Sequence, residues 1–171
     1  VGSELSPIDT AILISGVLTV REYFADVPEI VTLADAIYER IDWEWMVNPA
    51  TDYFYLAWKP EIDAANGYTI LEASGGYFSV YQWDYYTDEV LLINLLALGA
   101  PSSPVSEDIL YAWARNTGTY GSHTLVNSWN GSFFTYVFAH LWIDFDDLGT
   151  DSHPTTPVNW WDNSVEAAWA N

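Results

Sequence analysis

The sequence predicts an all-α domain whose loops, containing short strands or hairpins, build a ligand-binding face. Apolar residues recur at helical spacing in several segments. The connecting segments are aromatic, alternate in polarity and contain glycine pairs, which is typical of short strands. One further segment, Val90 to Ala100, is apolar almost throughout, so it predicts a helix that is buried on several sides.

The first half of the chain begins with two predicted helices. Ser6-Pro7 is a start signal for a helix from Asp9 to Phe24. Val27-Pro28 starts a second helix that continues to near Trp45 and is stopped by Asn48-Pro49. Residues 52–78 then alternate and predict short strands or a structured loop.

The second half is predicted to be mostly helical. Gly99, with Pro101 beyond it, marks a clear stop for a helix that starts near Trp83 and ends at Leu98. The polar, glycine-containing stretch Gly118 to Gly131 predicts a loop or hairpin. Three other helices are expected, at Glu107 to Arg115, Phe133 to Phe145 and Asn163 to Trp169.

Composition narrows the class of ligand. The 171 residues predict a single domain and carry 24 acidic against four basic side chains, for a net charge of -20. Such a chain repels phosphate backbones and anionic lipids, so neither nucleic acid nor a membrane surface is expected as a partner. With no cysteine there is no disulfide and no thiolate metal site. A neutral or cationic ligand is favoured.

Aromatic residues make up 17% of the chain. The faces of Trp and Tyr rings suit the C–H edges of sugars, so aromatic loops beside many carboxylates suggest a carbohydrate cleft. The loop residues selected as sugar-binding are Trp58, Tyr81, Trp83 and Trp129. The alternative use of such rings is to fill the core.

Asp88 and Glu89 stand at the head of the apolar helix, directly after Thr87. One interpretation is that Thr87 caps the helix and both acids complement its dipole, and this is favoured for Asp88. For Glu89 the alternative is a general acid. The helix dipole lowers the pKa of such a carboxyl, whereas apolar burial raises it, and composition does not decide between the two.

Two further groups of side chains permit two interpretations each. His140 and Asp144 are four residues apart, on one face of a predicted helix. They are either a general base with the acid that orients it, or a structural pair. The acidic segment 144–151 matches a calcium loop at positions one, three and six but fails at five and twelve, where Leu148 and Thr155 stand. A solvated acidic loop is favoured there, and no metal or cofactor is expected.

Several segments together resemble the bacterial glucoamylase-like (glycoamylase) family, which includes endo-β-1,2-glucanases and is related to a domain of cyclic β-1,2-glucan synthases. The similarity extends from about Asp9 to Trp169 and is most specific in two segments, TDEVLLINLLALGAPSSPV and FFTYVFAHLWIDF. The chain departs from the family pattern at residues 135–140 and 160–164. It resembles only the N-terminal part of these proteins.

This resemblance implies an (α/α)6 toroid, here a partial one, with an aromatic cleft for a β-linked glucan. It implies that Glu89 is a general acid, that Asp9 and Asp144 are further cleft acids, and that His140 contacts substrate. A periplasmic or secreted location is expected. An incomplete toroid would expose the apolar Val90 to Ala100 helix. Either a second copy covers it, giving a homodimer, or the chain packs compactly by itself, and the homodimer is favoured. The alternative functions are a non-catalytic carbohydrate-binding or assembly module of the same fold, and a purely structural helical domain.

Overall fold

The structure is a computed structural model that describes residues 3–171. Over these residues it contains seven α-helices and seven short β-strands, with three 3₁₀ turns, at Glu44–Met46, Ala64–Asn66 and Ala139–Leu141. The helices are α1 (Pro7–Tyr23), α2 (Pro28–Glu39), α3 (Asp88–Leu98), α4 (Ile109–Ala112), α5 (Phe134–Val137), α6 (Phe145–Leu148) and α7 (Trp160–Ala170). The strands are β1 (Val47–Asn48), β2 (Tyr53–Phe54), β3 (Trp58–Lys59), β4 (Tyr68–Leu71), β5 (Tyr77–Ser79), β6 (Thr117–Tyr120) and β7 (His123–Val126).

The prediction of an all-α, partial-toroid fold is wrong. The strands form three small antiparallel sheets, with orders β1-β2, β3-β5-β4 and β6-β7, and three of the helices are only four residues long. The segments that form the sheets alternate aromatic or β-branched residues with polar ones, a pattern that suits a half-buried strand. At the turns, Gly67 and Gly76 have positive φ, which lets the chain reverse direction. The fold is therefore a mixture of helices and small sheets.

Helix α3 forms the centre of the core. Five of its apolar residues are buried: Val90, Leu91, Leu92, Ile93 and Ala97. It packs against α1 on one side and against α4 and α5 on others. Its polar residue Asn94 is also fully buried and donates a hydrogen bond to the Ile109 carbonyl (3.1 Å).

Because α3 is covered within the chain, it leaves no open apolar face of the kind that motivated a homodimer. The homodimer stays a prediction, but without that support.

The predicted helix from Phe133 to Phe145 is interrupted. It forms α5 and then a 3₁₀ turn, and α6 begins only at Phe145. The break lies where the Ala139 N–H donates to the Asp88 carboxylate (2.7 Å) instead of to the carbonyl four residues earlier. A tertiary hydrogen bond has therefore replaced a helical one.

Candidate active site

A cleft of about 1020 Å³ opens where the first turns of α1 and α3 meet the segment before α3. Residues near the start of α5 also line it. The lining residues are Glu4, Ser6, Ile8, Asp9, Leu56, Ala57, Tyr68, Val80, Tyr81, Gln82, Trp83, Asp84, Tyr85, Thr87, Glu89, Trp129, Asn130, Phe134 and Thr135.

Two helix N-termini carry the carboxylates predicted to be catalytic. Asp9 is the third residue of α1, and Glu89 is the second residue of α3. Both helix starts are fixed by side-chain caps: Ser6 accepts from the Asp9 N–H (3.3 Å) and Thr87 from the Val90 N–H (3.2 Å). The packing of α1 against α3 then brings the two carboxylates into the same cleft.

The pKa of Glu89 is raised above its ordinary value, first by burial and second by the negative charge of Asp9. The N-terminus of a helix acts in the opposite direction, because its partial positive charge stabilises a carboxylate. The pKa of Glu89 is nevertheless shifted upward, with burial as the largest cause. The carboxyl of Glu89 keeps its proton to a higher pH than an ordinary glutamate, which is what a general acid requires.

Segment 81–86, which leads into α3, is held from both sides by backbone hydrogen bonds. On one side the Leu56 N–H donates to the Tyr81 carbonyl (2.9 Å), and the Trp83 N–H donates to Phe54 (2.8 Å). On the other side the Trp129 N–H donates to the Tyr86 carbonyl (3.0 Å). These bonds place Tyr81, Trp83 and Trp129 around the same opening.

Two of these aromatic side chains present much of their surface to the cleft and solvent: Tyr81 is 62% exposed and Trp129 is 73% exposed. The Tyr81 ring lies so close to Gly67 that a Cβ at that residue would come within 2.9 Å of it. Glycine is thus required there both for its positive φ and for the position of the ring. Trp83 is half-buried and forms part of the wall.

The cleft is acidic. Glu4, Asp9, Asp84 and Glu89 line it, and none of its lining residues is Lys, Arg or His. Glu4 accepts a hydrogen bond from the Tyr68 hydroxyl (2.5 Å). Burial, with the Glu4 carboxylate next in effect, raises the pKa of Tyr68 to about 12, so this phenol stays protonated.

Trp58 was predicted to bind sugar but does not line the cleft. It belongs to β3, where it pairs with Phe78, and its ring packs against Trp45 with centroids 5.8 Å apart. It also lies directly over the backbone of Gly76, where a Cβ would approach it to 2.2 Å. Its role in this structure is packing.

His140 and Asp144 also lie outside the cleft lining. Because the predicted helix is broken between them, their four-residue spacing does not join them by a hydrogen bond. His140 Nε2 instead lies 2.9 Å from Ser164 Oγ, whose proton is donated to the Tyr136 carbonyl (2.6 Å). Burial lowers the pKa of His140, which favours a neutral imidazole that supports α7. Asp144 is exposed at the start of α6.

One carboxylate of the acidic segment considered as a calcium loop has a structural role. Asp151 accepts from Arg115 Nη1 (2.7 Å) and from Trp160 Nε1 (2.9 Å). Within residues 3–171, no group of three or more His, Asp or Glu side chains is arranged to hold a metal ion.

Sequence reasoning missed several polar cleft residues, among them Glu4, Gln82 and Asp84. The last two alternate with Tyr81, Trp83 and Tyr85, and this period-two pattern was the available signal. Glu4 precedes the Ser6 cap and carries no sequence signal that distinguishes it.

No helix in the part of the chain described is long and apolar enough to cross a bilayer.

Comparison with known proteins places this site in a family context. The model of the glycoamylase family, described as "Putative glucoamylase", matches residues 80–171, a segment that includes α3 and Glu89. This confirms the family resemblance, although the suggested relation to cyclic β-1,2-glucan synthases stays a prediction. No curated protein sequence matches the chain significantly.

Among solved structures, the chain is similar to an endo-β-1,2-glucanase from Chitinophaga pinensis, determined in complex with sophorotriose and glucose. The TM-score is 0.76 at 19% sequence identity, and the match covers 97% of this chain. It covers 39% of the glucanase chain. The two proteins therefore share a fold over that part.

Proposed function

Because this chain belongs to the glycoamylase family, we propose that it is a glycoside hydrolase-like protein that binds and acts on a β-linked glucan, with Glu89 as the general acid. The observation that carries the proposal is the juxtaposition, in one cleft, of a protonation-prone glutamate, a second carboxylate and exposed aromatic rings. Glycosidases of most families need two carboxyl groups, one of which protonates the leaving oxygen. Asp9 is the proposed second group.

The charge of the cleft supports a neutral polysaccharide as the ligand. Four carboxylates line it without a basic residue among the lining side chains, so an anionic ligand would be repelled. A neutral glucan avoids that repulsion and offers C–H faces to Tyr81 and Trp129. The ligands in the complex of the similar glucanase, sophorotriose and glucose, are neutral sugars.

A second candidate function is a carbohydrate-binding module without catalysis. It is favoured by one observation: Asp144, the third carboxylate that the resemblance implied, is exposed outside the cleft. In that case the cleft would bind glucan but would not hydrolyse it.

The two candidates are separated by measuring binding and hydrolysis on the same protein. We expect calorimetry to show binding of sophorotriose or longer β-1,2-glucan, with release of reducing sugar from the polymer. Binding without release of reducing sugar would favour the binding module. Absence of both binding and hydrolysis with every β-glucan tested would contradict the proposal.

Two tryptophans of equal exposure provide a matched test of the site. Trp129, which lines the cleft, is 73% exposed and Trp169, at the end of α7, is 72% exposed. We expect Trp129→Ala to weaken glucan binding roughly 3- to 10-fold, from the loss of an aromatic contact. Trp169→Ala, outside the cleft lining, should bind like the wild type. If both variants lost glucan affinity equally, the cleft would not be the binding surface.

A further inference from the structure

The two adjacent acids at the start of α3 lie in opposite environments. Glu89 is half-buried and lines the cleft. Asp88 is only 1% exposed and is absent from the cleft lining, so it cannot touch a bound ligand. Its burial needs an explanation other than contact with substrate.

Capping does not explain Asp88. The cap of α3 is Thr87, whose hydroxyl accepts from the Val90 N–H. Asp88 instead reaches across to another segment, where its Oδ2 accepts from the Ala139 N–H (2.7 Å). Its Oδ1 is buried and has no hydrogen-bond partner among the described residues.

The Ala139 hydrogen bond connects two walls of the cleft. Ala139 is fully buried and begins the 3₁₀ turn that follows α5. The first two residues of α5, Phe134 and Thr135, line the same cleft as Glu89. The carboxylate of Asp88 thus joins the helix end that carries Glu89 to the segment that carries these two lining residues.

Keeping a carboxyl in this position opposes stability. Burial raises the pKa of Asp88 to about 7, despite the hydrogen bond from Ala139, which lowers it. An apolar side chain would avoid that cost but would leave the buried Ala139 N–H without its acceptor. What the carboxyl adds is a short hydrogen bond with a fixed direction, which is charge-assisted and roughly twice as strong as a neutral one when Asp88 is ionised.

We propose that Asp88 is a positioning residue, whose bond to the Ala139 N–H holds Glu89 and the Phe134–Thr135 wall in register across the cleft. The proposal rests on the assignment of Glu89 as the general acid. A misplacement of about 1 Å in such a group can reduce a rate on the order of 100-fold.

The test is a graded series of Asp88→Asn and Asp88→Ala, with Asp162→Asn as the control. Asn retains a neutral acceptor for the Ala139 N–H, whereas Ala retains none. Asp162 is an exposed acid in the first turn of α7, so its substitution removes one negative charge away from the cleft, as Asp88→Asn does above pH 7 where Asp88 is ionised. Circular dichroism and thermal unfolding verify that each variant is folded.

In a β-1,2-glucanase assay, we expect Asp88→Ala to lower kcat roughly 10- to 100-fold with little change in KM, because Asp88 touches no substrate. Asp88→Asn should fall between Asp88→Ala and the wild type, and Asp162→Asn should match the wild type. Equal rates in the wild type and a folded Asp88→Ala protein would overturn the proposal.

An independent measurement is NMR titration of the Glu89 side-chain carboxyl in the same proteins without ligand. We expect its pKa to be lower in Asp88→Ala than in Asp88→Asn, because both variants remove the neighbouring Asp88 charge but only Ala removes the acceptor of the Ala139 N–H, so that the turn loosens and water reaches the group. Equal Glu89 pKa values in the two folded variants would overturn the proposal; if Asp88→Ala does not fold, a kcat of Asp88→Asn equal to that of the wild type overturns it. A wild-type chain that neither binds nor cleaves glucan would contradict the proposed function, whereas this titration would still test the positioning role.

Discussion

The start of α3 and the start of α6 each carry an aspartate, yet the two aspartates differ in burial and in hydrogen bonding. Asp88 is buried and bonded to the Ala139 N–H, whereas Asp144 is exposed and makes no capping hydrogen bond with its side chain. Helix α3 runs for eleven residues from a capped start, and α6 for only four. The acid next to Asp88 faces the cleft, while the α6 end contributes no residue to it.

This difference shows what makes a helix N-terminus usable as a site. The first turn of α3 is fixed by its own cap and by burial of the residues that follow, so a carboxyl there is held in a defined, partly desolvated position. The first turn of α6 has no side-chain cap, and Phe145 is its only buried residue, so a carboxyl there remains solvated. Residue type alone does not distinguish the two.

The largest expected difference between the two regions is in catalysis. Removing a general acid costs about 100- to 10,000-fold in rate, so Glu89→Gln should bind β-1,2-glucan but release reducing sugar very slowly. Asp144→Asn should retain near-wild-type turnover, since the side chain lies outside the cleft. Initial rates of the two variants, measured side by side, test the comparison. Near-normal turnover of Glu89→Gln would return Glu89 to a capping role.

A second difference should appear in the pH dependence of stability. Because the pKa of Asp88 is about 7 in the folded protein against an ordinary 3.8, both states hold the proton below about pH 3.8. As the pH rises towards 7 the unfolded chain releases its proton first, which favours unfolding. Above pH 7 the buried Asp88 lowers the free energy of unfolding by its full amount, up to roughly 4 kcal/mol.

Urea unfolding of the wild type and Asp88→Asn at several pH values measures this effect. The free energy of unfolding of the wild type should decline relative to that of the variant between pH 4 and 7, and the difference should then level off. Asp162→Asn, measured in parallel, accounts for the change in net charge. If the free energies of unfolding of the wild type and Asp88→Asn differed by the same amount at every pH, Asp88 would not be a buried group with a raised pKa.

The smallest expected effect concerns the cap of α3. Thr87→Ala removes the acceptor of the Val90 N–H and should lower the free energy of unfolding by roughly 1 kcal/mol, whereas Thr87→Ser should retain most of the stability. Asp144→Ala should change it by less than about 0.5 kcal/mol, because its side chain makes no capping bond. The denaturant midpoints of the Thr87 and Asp144 variants, compared at an unchanged m-value, test this prediction. Equal losses at the two positions would remove the distinction between them.

Much of the local structure could be predicted from the sequence. The first helix, predicted from Asp9 to Phe24, spans Pro7–Tyr23, and the end of α3 at Leu98 was placed correctly by Gly99. The alternating residues 52–78 form strands, and the polar stretch from Gly118 contains the β6-β7 hairpin. In each case a start or stop signal, or strict alternation, restricts the backbone locally.

The prediction was wrong where tertiary contacts compete with local preference. The predicted start of α3 near Trp83 is too early, because residues 83–86 use their backbone groups to bond Phe54, Ala114 and Trp129. The second helix ends at Glu39, not near Trp45. The fold class was wrong for a related reason: helical spacing was counted segment by segment, and the pairing that makes sheets of short strands is a contact between segments.

By itself, the sequence determined the family, the acidic charge that favours a neutral ligand, and a capped apolar helix with Glu89 in its first turn. Only the tertiary structure decided which side chains share the cleft: Glu89, Asp9, Tyr81, Trp83 and Trp129 line it, while Trp58, His140 and Asp144 do not. It also decided that Glu89 is buried enough for its pKa to be raised. The physical reason is that desolvation and proximity depend on atoms distant in sequence, whereas caps and periodicity depend on neighbours along the chain.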